Sequence, residues 1–296
     1  MLPTSVAEAL AVRFGPVARA RPVGGGDTSA AAHARFGDDR AAFVKWGRGH
    51  AARSYVPEAD GLRALRSAAP AGIVVPEVLA QADETDACPG YLALEWLVEG
   101  HASPDDWRRF GGDLARLHGR TADLDGYGWT RDNYLGRAPQ ANAVRSGWPA
   151  FYGEQRLGAM RAYVAGLGRW RRAWDVRFDR VVASLPERLA LPAGAPEGRG
   201  LVHGDLWRGN AFALRDGRFA LVDPAVYVGR GEVDLALSEL FGGFPPAFYA
   251  GYDAVRPRVP GYAGRRDVYQ LYHLVMHLAV SAGYGEQVGA LLARMT

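Results

Sequence analysis

The spacing of hydrophobic and polar positions changes along the chain. Residues 4–13 repeat apolar side chains at helical spacing, with Thr4 or Ser5 available as the helix cap. From Ala18 to Lys45, short apolar stretches alternate with glycine-rich turns, which predicts a hairpin or a small antiparallel sheet. The segments "GIVVPEVLAQ" and "GYLALEWLVEG" predict two further strands.

Helical patterns surround these strands and dominate the rest of the chain. Residues 57–68 place Leu62 and Leu65 at helical spacing behind Pro57, a residue suited to a first helical turn. After about residue 104, long segments such as "FYGEQRLGAMRAYVAGLGRW" predict helices. The strand-like pieces "FALRDG" and "RFALVDPA" flank an Asp-Gly turn at 216–217, which predicts a hairpin among the helices.

These elements predict an α+β fold of two lobes. The first lobe, residues 1–96, is an antiparallel β-sheet region, and the second, residues 97–296, is larger and mainly helical. The joint between the lobes is expected around Glu95–Gly100.

Composition excludes several classes of protein. The 296 residues are 48% hydrophobic and 23% charged, as in ordinary globular proteins. The net charge of +3 comes without a basic run, so no nucleic-acid partner is expected. The single cysteine, Cys88, excludes an internal disulfide framework and a cysteine-based zinc site, and fits a reducing compartment. No stretch reaches the roughly 20 apolar residues of a membrane span, so we expect a soluble, cytoplasmic protein without a membrane partner.

Lys45 is the only lysine among 35 basic residues. An ammonium is a compact point charge and a guanidinium a planar fork, so the two do not replace each other at a tight phosphate contact. Lys45 ends the strand-like "AFVKW", and Glu58 in the following helix is its natural partner. The alternative is a chance surface lysine.

The stretch "LVHGDLWRGN" carries the strongest chemical signal. His203, Asp205 and Asn210 have the spacing H-x-D-x-x-x-x-N of the catalytic loop in kinases of the protein-kinase type. In that loop the aspartate accepts the proton of the attacking hydroxyl, and the asparagine oxygen reaches a magnesium ion. A glycine-rich turn with a capping aspartate is the alternative interpretation.

Two further segments fit the same chemistry. Asp223 ends the apolar strand "FALVD", where a carboxylate could share a magnesium ion with Asn210, although it could also be a simple turn residue. The segment "VGGGDTS" lets backbone N–H groups approach phosphates, or forms a plain hairpin turn. Its candidate nucleotide-binding residues are Gly24, Gly25, Gly26 and Asp27. The order of all these signals predicts phosphoryl transfer from a nucleotide with Mg²⁺.

The same residues resemble the fructosamine/ketosamine kinases, relatives of the aminoglycoside phosphotransferases with a bilobal protein-kinase-like fold. The resemblance covers most of the chain, including "LVHGDLWRGN", "YGWTRDNYLGRAPQ" and "VDPAVYVGRGEVDLALSELFGGF". It implies ATP-dependent phosphorylation of the sugar 3-hydroxyl of ketosamines, either small molecules or protein-bound. Carried over by position, it implies a proton acceptor, two magnesium ligands and a nucleotide-binding set: Asp205; Asn210 and Asp223; Lys45, Glu58 and the backbone of Glu95–Leu97.

The acceptor side is less specific. Trp207 follows the catalytic aspartate closely and either stacks on the sugar or amine, or packs the loop. Asp132, Asn133 and Glu232 are candidates to face a cationic acceptor.

Other residues and functions remain as alternatives. Asp234 is expected to cap a helix and brace the catalytic loop, and His203 to be structural. The acceptor could be another hydroxylated amine, such as an aminoglycoside. A non-catalytic nucleotide-binding module is disfavoured because Lys45, Asp205 and Asp223 are all present.

Overall fold

Strands dominate the first third of the chain and helices the remainder. The computed structural model describes residues 1–24, 29–120, 124–196 and 198–296. The strands are β1 (Val17–Val23), β2 (Ala30–Phe36), β3 (Ala41–Gly47), β4 (Ile73–Val74), β5 (Val78–Ala82), β6 (Gly90–Glu95), β7 (Asn133–Leu135), β8 (Ala138–Gln140), β9 (Arg199–Val202), β10 (Ala211–Ala213), β11 (Phe219–Leu221) and β12 (Tyr227–Arg230).

The α-helices surround these strands and continue to the end of the chain. They are α1 (Thr4–Phe14), α2 (His50–Ala68), α3 (Pro104–Leu117), α4 (Trp148–Phe151), α5 (Ala159–Gly166), α6 (Asp175–Ala183), α7 (Leu185–Arg188), α8 (Glu232–Leu240), α9 (Pro246–Val255), α10 (Tyr262–Leu278) and α11 (Gly285–Met295). A π-helical turn, Tyr152–Gly158, joins α4 to α5. No helix in the described ranges is both long and apolar enough to cross a bilayer.

The N-terminal strands form one antiparallel sheet in the order β1-β2-β3-β6-β5. Successive side chains of a strand face opposite sides of its sheet. In β3, Ala42 and Val44 therefore pack with Val6 and Leu10 of α1. Lys45 faces the other side, towards α2. The two-residue period of β3 thus places its lysine on the helix that carries Glu58.

Two helix starts differ from the sequence predictions. The cap position of α1 is Pro3, with no side-chain cap bond, so neither Thr4 nor Ser5 caps this helix. Helix α2 begins at His50 and encloses Pro57, which was expected in the first turn. A proline inside a helix lacks one backbone hydrogen bond, but burial of Tyr55, Leu62 and other residues along one face holds the helix on both sides of it.

Short strand pairs support the centre of the molecule. Strands β10 and β11 form the expected antiparallel hairpin, and β4 pairs in parallel with β11. Strands β9 and β12 form a second antiparallel pair. A hydrophobic core that includes Leu92, Leu94, Phe110, Phe219 and Phe248 links the N-terminal sheet to α3, α9 and the hairpin. The boundary between residues 96 and 97 as a division of domains stays a prediction.

Candidate active site

Two connecting segments meet at the end of the short strand pairs. Residues 203–210 join β9 to β10, and residues 222–226 join β11 to β12. Because β10 pairs with β11 and β9 with β12, the connections must adjoin. The amide of Val222 donates to the Asn210 carbonyl at 3.1 Å, and the amide of Ala225 donates to the His203 carbonyl at 2.9 Å. The loop with the H-x-D-x-x-x-x-N spacing is therefore tied at both ends to the segment that carries Asp223.

Gly204 is required by this close approach. It has a φ of 80°, in the left-handed region that favours glycine. A Cβ atom at this position would overlap the carbonyl oxygen of Ala225. Any larger residue would separate the two segments, so the glycine before Asp205 is a structural requirement of the site.

Asp205 and Asn210 are joined within the loop. The Nδ2 group of Asn210 donates to the main-chain oxygen of Asp205 at 2.9 Å and to its carboxylate Oδ2 at 3.1 Å. Asn210 therefore orients the carboxylate and leaves Oδ1 of Asp205 available to a ligand. The Oδ1 atom of Asn210 is likewise available as a metal ligand.

Burial and charge change the acidity of Asp205. Burial, together with the nearby Asp223 carboxylate, raises the pKa of Asp205 to about 7, against the opposing hydrogen bond from Asn210. A raised pKa makes this carboxylate a stronger proton acceptor than an ordinary aspartate.

Lys45 connects the N-terminal sheet to the second segment. Its Nζ lies 2.7 Å from Glu58 Oε1 and 2.5 Å from Asp223 Oδ1. Burial alone would lower the pKa of Lys45, but the Asp223 and Glu58 carboxylates raise it overall, so the ammonium stays charged. Asp223 has a φ of 52°, which is unusual for a residue other than glycine and turns its carboxylate towards Lys45.

Asp234, at the start of α8, holds the loop from behind. Its carboxylate accepts hydrogen bonds from the amides of His203 and Gly204 at 2.7 and 2.9 Å. It also accepts one from His118 Nε2 at 3.0 Å. Although burial would raise it, these bonds hold the pKa of Asp234 below its usual range. Asp234 contacts the loop rather than capping its own helix.

His203 is a structural member of the same network. Its ring Nε2 lies 3.0 Å from the Val222 carbonyl, and its Nδ1 accepts from the amide of Asp205 at 3.3 Å. Burial lowers the pKa of His203, so the ring is neutral, as this pair of bonds requires. The histidine thus fixes the backbone of Asp205 against the segment that precedes Asp223.

The charged groups open into one cavity of about 740 Å³. Lys45, Glu58, Asp205, Asn210 and Asp223 all line it. Within the described ranges no group of three or more His, Cys, Asp or Glu residues is arranged to hold a metal by itself. A magnesium ion bound to phosphates needs only one or two protein oxygens, and Asn210 and Asp223 could supply them.

The comparison with protein families gives an unambiguous match. Residues 4–296 match the family model described as fructosamine kinase. The chain belongs to the fructosamine kinase family. It is 40% identical over 256 residues to a probable ketoamine kinase of Synechocystis sp., covering 84% of this chain and 81% of the relative. It is 32% identical over 255 residues to the chloroplastic protein-ribulosamine 3-kinase of Arabidopsis thaliana, covering 86% and 75%.

Solved structures agree with this assignment. The structure of a "putative fructosamine-3-kinase" from Thermobifida fusca superposes with a TM-score of 0.84 at 30% identity, covering 98% of this chain and 97% of that one. The aminoglycoside phosphotransferase APH(4)-Ia, at a TM-score of 0.63 and 16% identity, covers 99% and 97% and shares the fold. The predicted α+β, protein-kinase-like architecture is confirmed. This fructosamine kinase family member is thus a phosphotransferase of an ATP-using family.

The predicted glycine-rich nucleotide-binding segment lies only partly within the described residues. Gly25, Gly26 and Asp27 lie outside the described residues. Gly24 is exposed, and a Cβ atom there would meet nothing within 4 Å. Its role stays a prediction.

The Glu95–Leu97 segment continues from β6. Neither Glu95 nor Leu97 is among the residues that line the cavity. The Glu95 carboxylate accepts from the amide of Glu77 at 3.2 Å and lies 3.4 Å from Arg66. The Glu95 side chain is therefore engaged on the sheet surface, and the adenine contact by this backbone stays a prediction.

The predicted acceptor residues of this family member separate into two groups. Trp207 and Asn133 line the cavity. Asn133 is buried and its amide is used internally, donating to Val226 O and accepting from Gln140, each at 2.8 Å. Asp132 does not line the cavity, and its carboxylate accepts from the amide of Asn142 at 2.7 Å.

Glu232 does not face the cavity either. Both of its carboxylate oxygens lie 2.7 Å from the buried guanidinium of Arg265. The expectation that it faces the acceptor is therefore not supported by its position, because Arg265 of α10 already neutralises it. The sequence pattern "GEVDLA" could not reveal a partner on a distant helix.

Several cavity-lining residues were not identified from the sequence. Phe241, His277, Val280 and Tyr284 line the end of the cavity formed by the C-terminal helices. Phe241 had one signal, an apolar residue placed before two glycines. His277 lies in the helical pattern of α10, and Val280 and Tyr284 follow its end. Neither pattern indicates a binding site.

Proposed function

We propose that this protein transfers the γ-phosphoryl group of ATP to the sugar 3-hydroxyl of a ketosamine, with Asp205 as the proton acceptor. The observation that carries the proposal is the meeting of Lys45, Asp205, Asn210 and Asp223 in one cavity. Positioning and charge stabilisation supply most of the catalysis in phosphoryl transfer, and these four groups fit that task. The acceptor class is supported by the ketoamine and ribulosamine kinases among the relatives.

Asp205 would receive the proton of the acceptor hydroxyl. Asn210 donates to Oδ2 of Asp205, so Oδ1 is the oxygen that remains for the hydroxyl. As the hydroxyl oxygen forms its bond to the γ-phosphorus, the bond from phosphorus to the β–γ bridging oxygen breaks and ADP leaves. The pKa of about 7 suits a group that must accept a proton near neutral pH.

Asn210 and Asp223 would hold magnesium. Their donor atoms, one amide oxygen and one carboxylate, are hard ligands of the kind that Mg²⁺ prefers. The two residues lie on segments joined by the backbone hydrogen bond from Val222 to Asn210, so the backbone sets the separation of the two ligands. When bound, the ion would neutralise negative charge on the phosphates.

Lys45 would contact the phosphates next to Asp223. Its two carboxylate partners keep it protonated and restrict the position of its Nζ. Glu58 belongs to α2 and is almost fully enclosed, with 12% of its side chain exposed. It is therefore a positioning residue that acts through Lys45.

A coupled ADP-release assay tests the proposal. We expect turnover with MgATP and a fructose-lysine or ribulose-lysine adduct, and none with the matching 3-deoxy adduct. Phosphorus NMR of the product should show the phosphate on C3. Turnover with an aminoglycoside but with no ketosamine would contradict the acceptor class while leaving the family assignment intact.

A further inference from the structure

Exposed apolar and aromatic side chains line part of the same cavity. Among the large hydrophobic side chains that the described residues leave exposed, Trp207, Phe241 and Val280 line this cavity, at 43%, 41% and 58% exposure. Clustered exposed apolar groups in a cleft are typical of ligand contact, whereas scattered ones need no explanation.

Phe241, His277 and Tyr284 form a group of three rings. The centroid of His277 lies 4.8 Å from that of Phe241 and 4.8 Å from that of Tyr284. Phe241 and Tyr284 are 6.5 Å apart with nearly perpendicular planes. These distances are typical of packed aromatic groups, so the rings support one another. We call Phe241, His277, Val280 and Tyr284 the aromatic wall.

The turn after α8 fixes the wall against the catalytic loop. Gly242 and Gly243 have φ values of 71° and 91°, which reverse the chain between two phenylalanines. Phe244 is buried, 4.8 Å from the Phe248 ring, while Phe241 remains exposed in the cavity. A Cβ atom at Gly243 would come within 2.8 Å of the Arg208 side chain. The turn that follows Phe241 therefore packs closely on the loop that carries Asp205.

The wall carries no formal charge. His277 Nδ1 lies 2.7 Å from the carbonyl of His273, so this nitrogen bears the proton and donates. Burial lowers the pKa of His277, which keeps the ring neutral. The charged residues that line the cavity belong to the N-terminal sheet, to α2 and to the two segments around Asp205. The charged groups and the aromatic wall thus come from different elements of the cavity lining.

We propose that the aromatic wall is the subsite for the substituent on the acceptor nitrogen, and that it selects an uncharged, apolar chain. This inference rests on the proposed function, which puts the sugar hydroxyl at Asp205. Lys45 and the proposed magnesium ligands would take the nucleotide phosphates, which leaves the uncharged lining, of which the aromatic wall is the largest exposed apolar part, for the rest of the acceptor. Trp207, two residues after Asp205, also lines the cavity.

The chemistry of the substituent follows from the wall. The side chain of a glycated lysine begins with four methylenes, which can lie on Phe241 and Val280. A glycine adduct instead carries a carboxylate one carbon from the nitrogen, and Phe241 and Val280 would desolvate it without a charged partner. The protein should therefore prefer the ketosamine of butylamine, which reproduces the lysine stem, over that of glycine with the same sugar.

The experiment compares these two adducts by ADP release and by calorimetric binding. In Phe241→Ala the ratio of kcat/KM for the butylamine adduct to that for the glycine adduct should fall roughly tenfold, as expected when about two methylenes lose their burial. Phe241→Leu should retain most of the preference. Val280→Ser, at a more exposed position, should lower it in the same direction. Val176→Ala, at an exposed position outside the cavity, is the matched control.

The outcomes separate this inference from the proposed function. An unchanged ratio in both Phe241→Ala and Val280→Ser would overturn the subsite even if ketosamines are phosphorylated. If neither adduct is phosphorylated, the proposed function fails, and calorimetry decides the subsite by itself. Weaker binding of the butylamine adduct to Phe241→Ala would then support the wall as an apolar subsite, and equal binding would reject it.

Discussion

Asp205 belongs to the loop that follows β9 and Asp234 binds the same loop, yet the surroundings of the two carboxylates differ. The Asp234 carboxylate accepts three hydrogen bonds, from two backbone amides and from His118. The Asp205 carboxylate accepts one bond, from Asn210, and faces the cavity. As a result the pKa of Asp234 is lowered, despite burial, and that of Asp205 is raised to about 7.

The difference distinguishes a structural carboxylate from a reactive one. A buried carboxylate with all its oxygens engaged stabilises the folded chain and has little capacity left for a ligand. A carboxylate with an unengaged oxygen in a cavity costs stability when ionised, and this cost is typical of functional groups. Burial alone would not have separated the two residues.

The largest expected effect concerns Asp205, the carboxylate with an unengaged oxygen. Asp205→Asn should lower kcat by roughly 10²–10⁴-fold, because the amide cannot accept the hydroxyl proton. The melting temperature near neutral pH should stay equal or rise, since folding raises the pKa of this acid and its ionised form therefore destabilises the native state. Coupled ADP release and thermal melts measure both. Asp216→Asn, at an exposed turn in the adjoining hairpin, is the control, and full activity in Asp205→Asn would remove Asp205 from the mechanism.

Asp234, the carboxylate whose oxygens are both engaged, should instead affect stability. Asp234→Asn replaces one carboxylate oxygen by an NH₂ group, which then faces the amide of either His203 or Gly204, so the free energy of unfolding should fall by about 2–3 kcal/mol. Folding lowers the pKa of Asp234, so its contribution is complete above the ordinary aspartate value near 4 and is lost as the pH falls through the folded value. The gap between wild type and variant should therefore narrow in acid.

Urea titrations at several pH values measure this gap. Asp179→Asn, at an exposed surface pair, is the control. A variant as stable as wild type at pH 7 would mean that the three hydrogen bonds to Asp234 do not contribute to stability.

The Lys45→Arg variant tests whether the site around Asp205 and Asp223 depends on the geometry of the lysine as well as on its charge. The guanidinium keeps the charge but cannot place one nitrogen within 2.7 Å of Glu58 and 2.5 Å of Asp223 in the same enclosed space. We expect a loss of roughly 10–100-fold in kcat/KM for ATP, the scale of a small misplacement at a reacting group. Kinetics with varied ATP measure it. Near-normal values would reduce the single lysine to a coincidence of composition.

Local spacing explains which parts of the site could be predicted from sequence. Asp205 and Asn210 share a loop, and Asp223 lies at the end of the hairpin that follows, so short-range rules bring them together. The lysine and Glu58 are thirteen residues apart on adjacent elements. In each case the chain has little freedom to separate the groups.

Long-range partners explain what could not be predicted. Glu232 was expected to face the acceptor, but Arg265, 33 residues later on another helix, occupies it. The aromatic wall combines the end of α8 with the end of α10, and no pattern in either helix indicates that they meet. The α2 start was misplaced because contacts with other elements outweighed the preference of Pro57 for a first turn.

Trp207 has features of both kinds of residue and should show the smallest effect. Its ring lies over Gly209, where a Cβ atom would overlap it, so it packs on the loop as a structural residue does. It is also 43% exposed in the cavity, as a ligand-binding residue would be. If the exposed face contacts the acceptor, Trp207→Ala should raise KM for the ketosamine about threefold to tenfold and Trp207→Phe less, with KM for ATP unchanged in both. If the ring only holds the loop, kcat should fall instead and neither KM should change, because Asp205 would lose its position. Steady-state kinetics with each substrate varied separates the two cases, with Trp170→Phe, a ring outside the cavity, as the control.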